Sequence, residues 1–199
     1  MSKKIVVLIS GSGSNLQALI DAQQRNALGG HIALVVSNRA SAYGLTRAAT
    51  AAIPTYTQTL RDFRSQGKSR EDYDRELAHH VARHAPDLVV LAGWMHILSP
   101  AFIDRFAGRI INLHPALPGE LDGAHAIERA YEEFKAGSRV RTGVMVHYVI
   151  PEVDKGQPIL TQEVPCREGD ALEDLEQRIH AVEHELLPRA VRLVLEGSE

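Results

Sequence analysis

Cysteine is nearly absent: Cys166 stands alone among 199 residues. No internal disulfide can form, and such a chain suits a reducing compartment. Long apolar runs are missing too, and none approaches the ~20 residues that span a bilayer. The opening MSKKIVVLIS has two lysines but no long apolar h-region and no small-residue cleavage site. It reads as a first strand and not as a signal peptide. A cytoplasmic location without a membrane partner is expected. An excess of either charge is also missing. The 22 Lys and Arg against 25 Asp and Glu leave a formal charge of −3, so no basic field recruits nucleic acid. Repeats and low-complexity tracts are absent. The remainder, 44% apolar and 24% charged, suits a globular chain of one domain over residues 1–199.

Two motifs are conspicuous by what they omit. The apolar run KIVVLIS ends in GSGSN, and LQALIDAQQRNAL follows with the helical spacing of Leu16, Leu19 and Ile20. Strand, glycine turn and helix form an arrangement whose amides and helix N-terminus can hold an anion. A dinucleotide fingerprint needs a third glycine, but Leu16 follows Asn15. A Walker-type loop needs Gly-Lys-Ser/Thr, which does not occur. Gly11, Ser12, Gly13, Ser14 and Asn15 therefore point to a single phosphate; a tight turn without a ligand is the bland alternative.

Beyond this turn, strands and helices alternate. Strands are predicted at residues 31–38, 56–60, 87–92 and 109–113, and helices at 43–52 and 69–84, with another opened by Ser99-Pro100. Such alternation implies a parallel sheet with right-handed crossovers and ligands at the strands' C-terminal ends. A helix is expected at 123–135, an added antiparallel strand pair at 143–149 and 157–164, and a final helix at 169–196 that Pro188 should kink or split. The expected fold class is α/β: a three-layer, Rossmann-like, mostly parallel sheet with helices on both faces and an antiparallel C-terminal strand addition.

Three stretches converge on one sheet edge: GSGSN, GWMHIL and NLHP. In the last, Asn112 and His114 enter a loop broken by Pro115, Pro118, Gly119 and Gly123. An amide can hold an oxygen there, and an imidazole can move a proton near neutral pH. Trp94 could wall a flat heteroaromatic ligand or simply cap the core. Arg70 could reach a ligand or lie solvated at a helix end. His79, His80 and His84 read as helix-surface residues, with no metal site expected. Asp154, within Asp-Lys-Gly, reads locally as a turn residue.

Taken together, VVLISGSGSNLQALI, SREDYDREL, VVLAGWMHILSP, INLHPALPG, TGVMVHYV, VDKGQPIL and EHELLP resemble the phosphoribosylglycinamide formyltransferases of the folate-dependent formyltransferase family. The order and spacing match over nearly the whole chain. The resemblance implies that Asn112, His114 and Asp154 are catalytic, and that residues 11–15 take a 5′-phosphate in the N-terminal half. It implies a folate site drawing on Arg70, Met95, His96, Ile97, Leu98, Asn112, Ile150 and Val153, with Glu183 facing the ribonucleotide. The implied partners are small molecules: 10-formyltetrahydrofolate as co-substrate, without a metal, and 5′-phosphoribosylglycinamide, in purine biosynthesis. Asp154 beside His114 is expected to raise the imidazole's pKa.

Departures from the family are visible. His114-Pro115-Ala116-Leu117-Pro118-Gly119 replaces a common His-Pro-Ser-Leu-Leu-Pro, and His96 stands where bacterial relatives often have arginine. Ile150-Pro151 replaces more polar residues, and Pro151 has no amide hydrogen to donate. Rival readings are a formyltetrahydrofolate deformylase, which usually carries an N-terminal regulatory domain, and a methionyl-tRNA formyltransferase, which needs a C-terminal tRNA-binding domain. A non-catalytic folate- or nucleotide-binding module is the rival from another class. Met1 and the end at Glu199 suggest a free-standing chain.

Overall fold

The computed structural model describes residues 2–197; Met1, Ser198 and Glu199, the ends of the expected 1–199 domain, lie outside the described residues. Its spine is β1 (Lys3–Ile9), in which Ile5 to Ile9 are all fully buried. Successive side chains of a strand point to opposite faces. Ile5, Val7 and Ile9 therefore enter one apolar cluster, and Val6 and Leu8 enter another. A strand apolar on both faces needs helices on both sides. The first cluster is covered by α1 (Ser14–Gln24), α2 (Gly44–Thr50), α6 (Ala126–Lys135) and α7 (Leu172–Glu196). The second is covered by α3 (Leu60–Ser65), α4 (Arg70–Ala82) and α5 (Pro100–Ile103), the last continuing into a 3-10 turn at Asp104–Phe106. The result is three layers.

The sheet has seven strands in the order β3-β2-β1-β4-β5-β6-β7. Here β2 is Gly30–Ser37, β3 Thr55–Thr57, β4 Leu88–Leu91, β5 Ile110–His114, β6 Arg141–Tyr148 and β7 Pro158–Pro165. Pairing is parallel from β3 through β5 and antiparallel from β5 through β7. The expected mostly parallel, Rossmann-like sheet with an antiparallel addition is thus present. In the β5–β6 register Asn112 faces His147 and His114 faces Met145. Gly143 of β6 sits where a Cβ would fall 2.4 Å from Leu117 Cδ2 and 2.6 Å from the Gln162 carbonyl oxygen.

Three elements differ from expectation. The strand expected over 56–60 stops at Thr57, because Thr59 accepts the Asp62 amide and caps α3. The helix expected from 123 begins at Ala126, since Gly123 (φ 82°) and His125 (φ 58°) are left-handed. Pro188 does not split the last helix, which runs unbroken from Leu172 to Glu196. Leu186, Leu187, Pro188, Ala190 and Val191 are all buried there. That packing outweighs the loss of one backbone hydrogen bond. Ser69 starts α4 with a capping box to Asp72.

Candidate active site

The parallel strands β1, β4 and β5 end side by side, and each delivers one piece of the site. Strand β5 ends in Asn112 and His114, whose side chains leave an apolar strand for the loop that follows. His114 is 4% exposed. Its Nε2 lies 3.1 Å from the Leu121 carbonyl oxygen. A carbonyl only accepts, so Nε2 carries a hydrogen and donates it. Its Nδ1 lies 3.5 Å from Asp154 Oδ2. The same carboxylate oxygen accepts the Gly123 amide at 2.8 Å, and Lys155 pairs with Asp122. The loop after β5 and the loop between β6 and β7 are therefore tied together through Asp154 and its neighbour. Asp154 itself is left-handed, at φ 56°; a non-glycine residue there marks a constrained site.

The fourth member is His147, 2% exposed, which reasoning from the sequence did not single out. Its Nδ1 is 2.9 Å from the Tyr148 carbonyl oxygen and therefore carries a hydrogen. Its Nε2 lies 3.2 Å from Asn112 Nδ2 and 3.5 Å from Asp154 Oδ1; it can accept from the amide when the ring is neutral and donate to the carboxylate when the ring is charged. One sign in the sequence could have found it: a single imidazole inside the otherwise apolar run GVMVHYV.

Burial pushes the His114 imidazole below its ordinary pKa; Asp154 and the Leu121 carbonyl raise it but do not prevail. The expected upward pull of Asp154 is real, but desolvation outweighs it, so the net direction expected from the sequence is corrected. His114 is neutral at rest. For Asp154, burial raises the carboxyl pKa, yet the His147 contact, the Gly123 amide and the two imidazoles together hold it below the usual value. It is ionised.

These four polar groups close the inner end of a cavity of about 650 Å³. Met95, His96, Ile97, Leu98, Ile150 and Val153, which the resemblance assigns to a folate site, line it. Met95 and Ile97 are 72% and 66% exposed, an apolar rim facing solvent. His96 stacks on Tyr73 at 5.2 Å between ring centroids. Burial, with help from the Arg70 charge, lowers its pKa. Trp94 packs in the core beside α4 and also lines the cavity. Arg70 is not among the lining residues; its guanidinium donates to the Ile97 carbonyl at the rim. Pro151 lines the wall beside Ile150.

Residues 11–15 lie at the end of β1, outside this cavity. Ser10 joins the two, accepting the Met95 amide at 2.8 Å and donating its own to Gly93 at 3.0 Å. Gly13 caps α1 in the left-handed conformation at φ 73°. Asn15 Nδ2 donates to Glu183 Oε2 at 3.1 Å, so the structure brings Glu183 of α7 to the loop. Burial raises the Glu183 carboxyl pKa, opposed by Asn15 and His180. His80 stacks on Tyr56 at 3.5 Å. Among the described residues no group of three or more His, Cys, Asp or Glu is placed to hold a metal ion. No helix there is long and apolar enough to cross a membrane.

A Rossmann-like sheet edge that combines a glycine turn, an apolar cleft and an Asn–His–Asp cluster is the setting of a small-molecule enzyme site. Comparison with known proteins narrows the class. Residues 3–191 match the formyl transferase family. The chain is 50% identical to a Schizosaccharomyces pombe phosphoribosylglycinamide formyltransferase, covering all of both chains. It is 45% identical to the Escherichia coli protein of that name, over 97% of this chain and 87% of the other. A solved glycinamide ribonucleotide transformylase 1 from Symbiobacterium toebii superposes with a TM-score of 0.92 at 39% identity, covering 98% of this chain and 89% of that one. The chain belongs to the formyl transferase family.

Proposed function

We propose that the protein transfers the formyl group of 10-formyltetrahydrofolate to the amine of 5′-phosphoribosylglycinamide, in purine biosynthesis. The observation that carries this reading is the cluster of half-buried Asn112 with the buried side chains of His114 and Asp154 at one end of an apolar cavity, in a chain matched end to end by phosphoribosylglycinamide formyltransferases. The cavity suits a pterin, and exposed Arg70 at its rim suits an anionic tail. The phosphate would lie on the amides of residues 12–15, two strand spacings or about 10 Å from Asn112. A ribose and a glycyl amide span such a gap.

In the reaction the amine nitrogen bonds to the formyl carbon, the bond from that carbon to folate N10 breaks, and one proton passes from the amine to N10. Negative charge builds on the formyl oxygen between these events. Asn112 has two amide hydrogens: one can rest on His147, and the other is free for that oxygen. His114 keeps its Nε2 hydrogen on the Leu121 carbonyl and can exchange that acceptor for the formyl oxygen. Removing one such donor typically costs on the order of 10²–10³ in kcat. Asp154, ionised beside Nδ1, stabilises a proton that His114 takes up as the amine loses its own. Binding energy from the remote phosphate holds the amine in attack geometry.

The test is absorbance-monitored conversion of the 10-formyl folate, with and without the nucleotide amine, by wild type and His114→Ala. Turnover that requires the amine and falls at least 10²-fold in the variant is expected. Turnover without the amine would make the protein a deformylase, and folate binding without turnover would make it a binding module.

A further inference from the structure

The loop proposed to hold the phosphate, GSGSN, contains no cation. One reaches it from behind. Arg47 of α2 donates Nε–H to the Ser12 carbonyl at 2.8 Å and Nη1–H to Gln17 Oε1 at 3.2 Å. The guanidinium carbon also lies 5.0 Å from the centroid of the Tyr43 ring. It is therefore held at three points, on the loop, on α1 and on its own helix. Resting on the reading above, we infer that Arg47 is the cation of the phosphate site, a positioning residue that works through the loop's backbone.

The argument is one of peptide geometry. In a planar trans peptide the carbonyl and the following N–H point in opposite directions. Fixing the Ser12 carbonyl on Arg47 therefore aims the Gly13 amide away from α2. The neighbouring planes are fixed in the same sense. The Gly11 carbonyl accepts the Gly44 amide at 3.1 Å, which aims the Ser12 amide, and the Gly13 carbonyl accepts the Gln17 amide at 2.9 Å, which aims the Ser14 amide. The first amides of α1 have no carbonyl of their own helix to bond. Three successive amides are thus each aimed by an acceptor held behind it, and successive free amides are what a concave anion site is built from.

Of the three acceptors, only the middle one is held by a charge. A guanidinium bonded to the carbonyl of a peptide polarises that peptide and makes its N–H a better donor. The fit leaves no slack: a Cβ on Gly13 would come within 2.6 Å of Gly44 Cα and 3.4 Å of Arg47 Cδ. Selection between a phosphorylated and an unphosphorylated amine is then set partly by a residue that never touches the phosphate.

The experiment uses the full chain, saturating 10-formyl folate, and two amines: 5′-phosphoribosylglycinamide and the same riboside without phosphate. Wild type, Arg47→Gln and Arg47→Lys are compared. In Arg47→Gln the ratio of kcat/KM for the phosphorylated over the unphosphorylated amine should fall about tenfold, through KM rather than kcat, and the inhibition constant of inorganic phosphate should rise in step. Arg47→Lys should recover part of the ratio. Equal losses on both amines would make Arg47 a structural brace only, and an unchanged ratio or no recovery by lysine would equally overturn its role as a cation. Failure of the wild type to use the phosphorylated amine would instead sink the proposed function, so the two can fail separately.

Discussion

At His114 two environments compete for one proton. Burial favours the neutral ring, while Asp154 favours the charged one, and burial prevails at rest. The balance is open to a direct test. Asp154→Asn removes the main upward influence, so the His114 imidazole should titrate lower still, read from its ring protons by NMR; an unmoved titration would separate the two groups. The same variant should lose on the order of 10²-fold in kcat. This competition shows how far single residues can be read from a sequence. Asn112 and His114 stand out as polar groups at the end of an apolar strand. Asp154 looks like an ordinary turn aspartate and gains a role only through the resemblance. His147 is hidden because β6 is buried on both faces, so its imidazole interrupts no alternation of polar and apolar positions. Desolvation is a property of the assembled core, and nothing in the local spacing around His114 gives its size.

Elements that are apolar runs were legible because burial on both faces leaves an unbroken pattern, as in residues 4–10 and 87–92. Helix α3 was not, since Phe63 is its single buried residue and no period can be read from one point. Pro188 breaks a helix in isolation but not in α7, where the buried apolar face holds the helix together. The loop between β6 and β7 depends on another local feature. A Cβ added to Gly156 would lie 1.6 Å from the Tyr148 carbonyl oxygen and 3.4 Å from His147 Nδ1. Backbone cannot yield as a side chain can. Gly156→Ala should therefore cost about 2–4 kcal/mol in urea denaturation. It should also lower kcat, because the Tyr148 carbonyl is the acceptor that orients His147.

Across the molecule, buried titratable groups link stability to pH. His114, His96 and His184 all titrate below the ordinary histidine value, with burial the leading cause in each. An unfolded chain takes up their protons first on acidification, so their contribution is present above the unfolded value near 6.5 and is lost as pH falls through the folded one. Asp154, also lowered, has the same sign further into acid. Glu183 is raised, so its contribution is present at low pH and is lost as pH rises through its folded value. Chemical denaturation should accordingly show stability falling from pH 7 to pH 5. Glu183→Gln should make that fall steeper, because it removes a contribution of opposite sign. A flatter profile in the variant would reverse the sign assigned to Glu183.

The closeness of Gly143 to its neighbours has a consequence for how the chain avoids error. Strand β6 is buried from Thr142 to His147, so apolar pattern imposes little penalty on pairing it with β5 one residue out of step. Such a chain would bury nearly the same side chains and would lack the Asn112–His147 contact of the polar cluster, since the two meet only in the native pairing. Sliding β6 by one position would bring Thr142 or Val144 to the place where a Cβ falls 2.4 Å from Leu117 and 2.6 Å from the Gln162 carbonyl. Proofreading of the strand alignment thus rests on a residue with no side chain, and the assembly of the polar cluster is inherited from it.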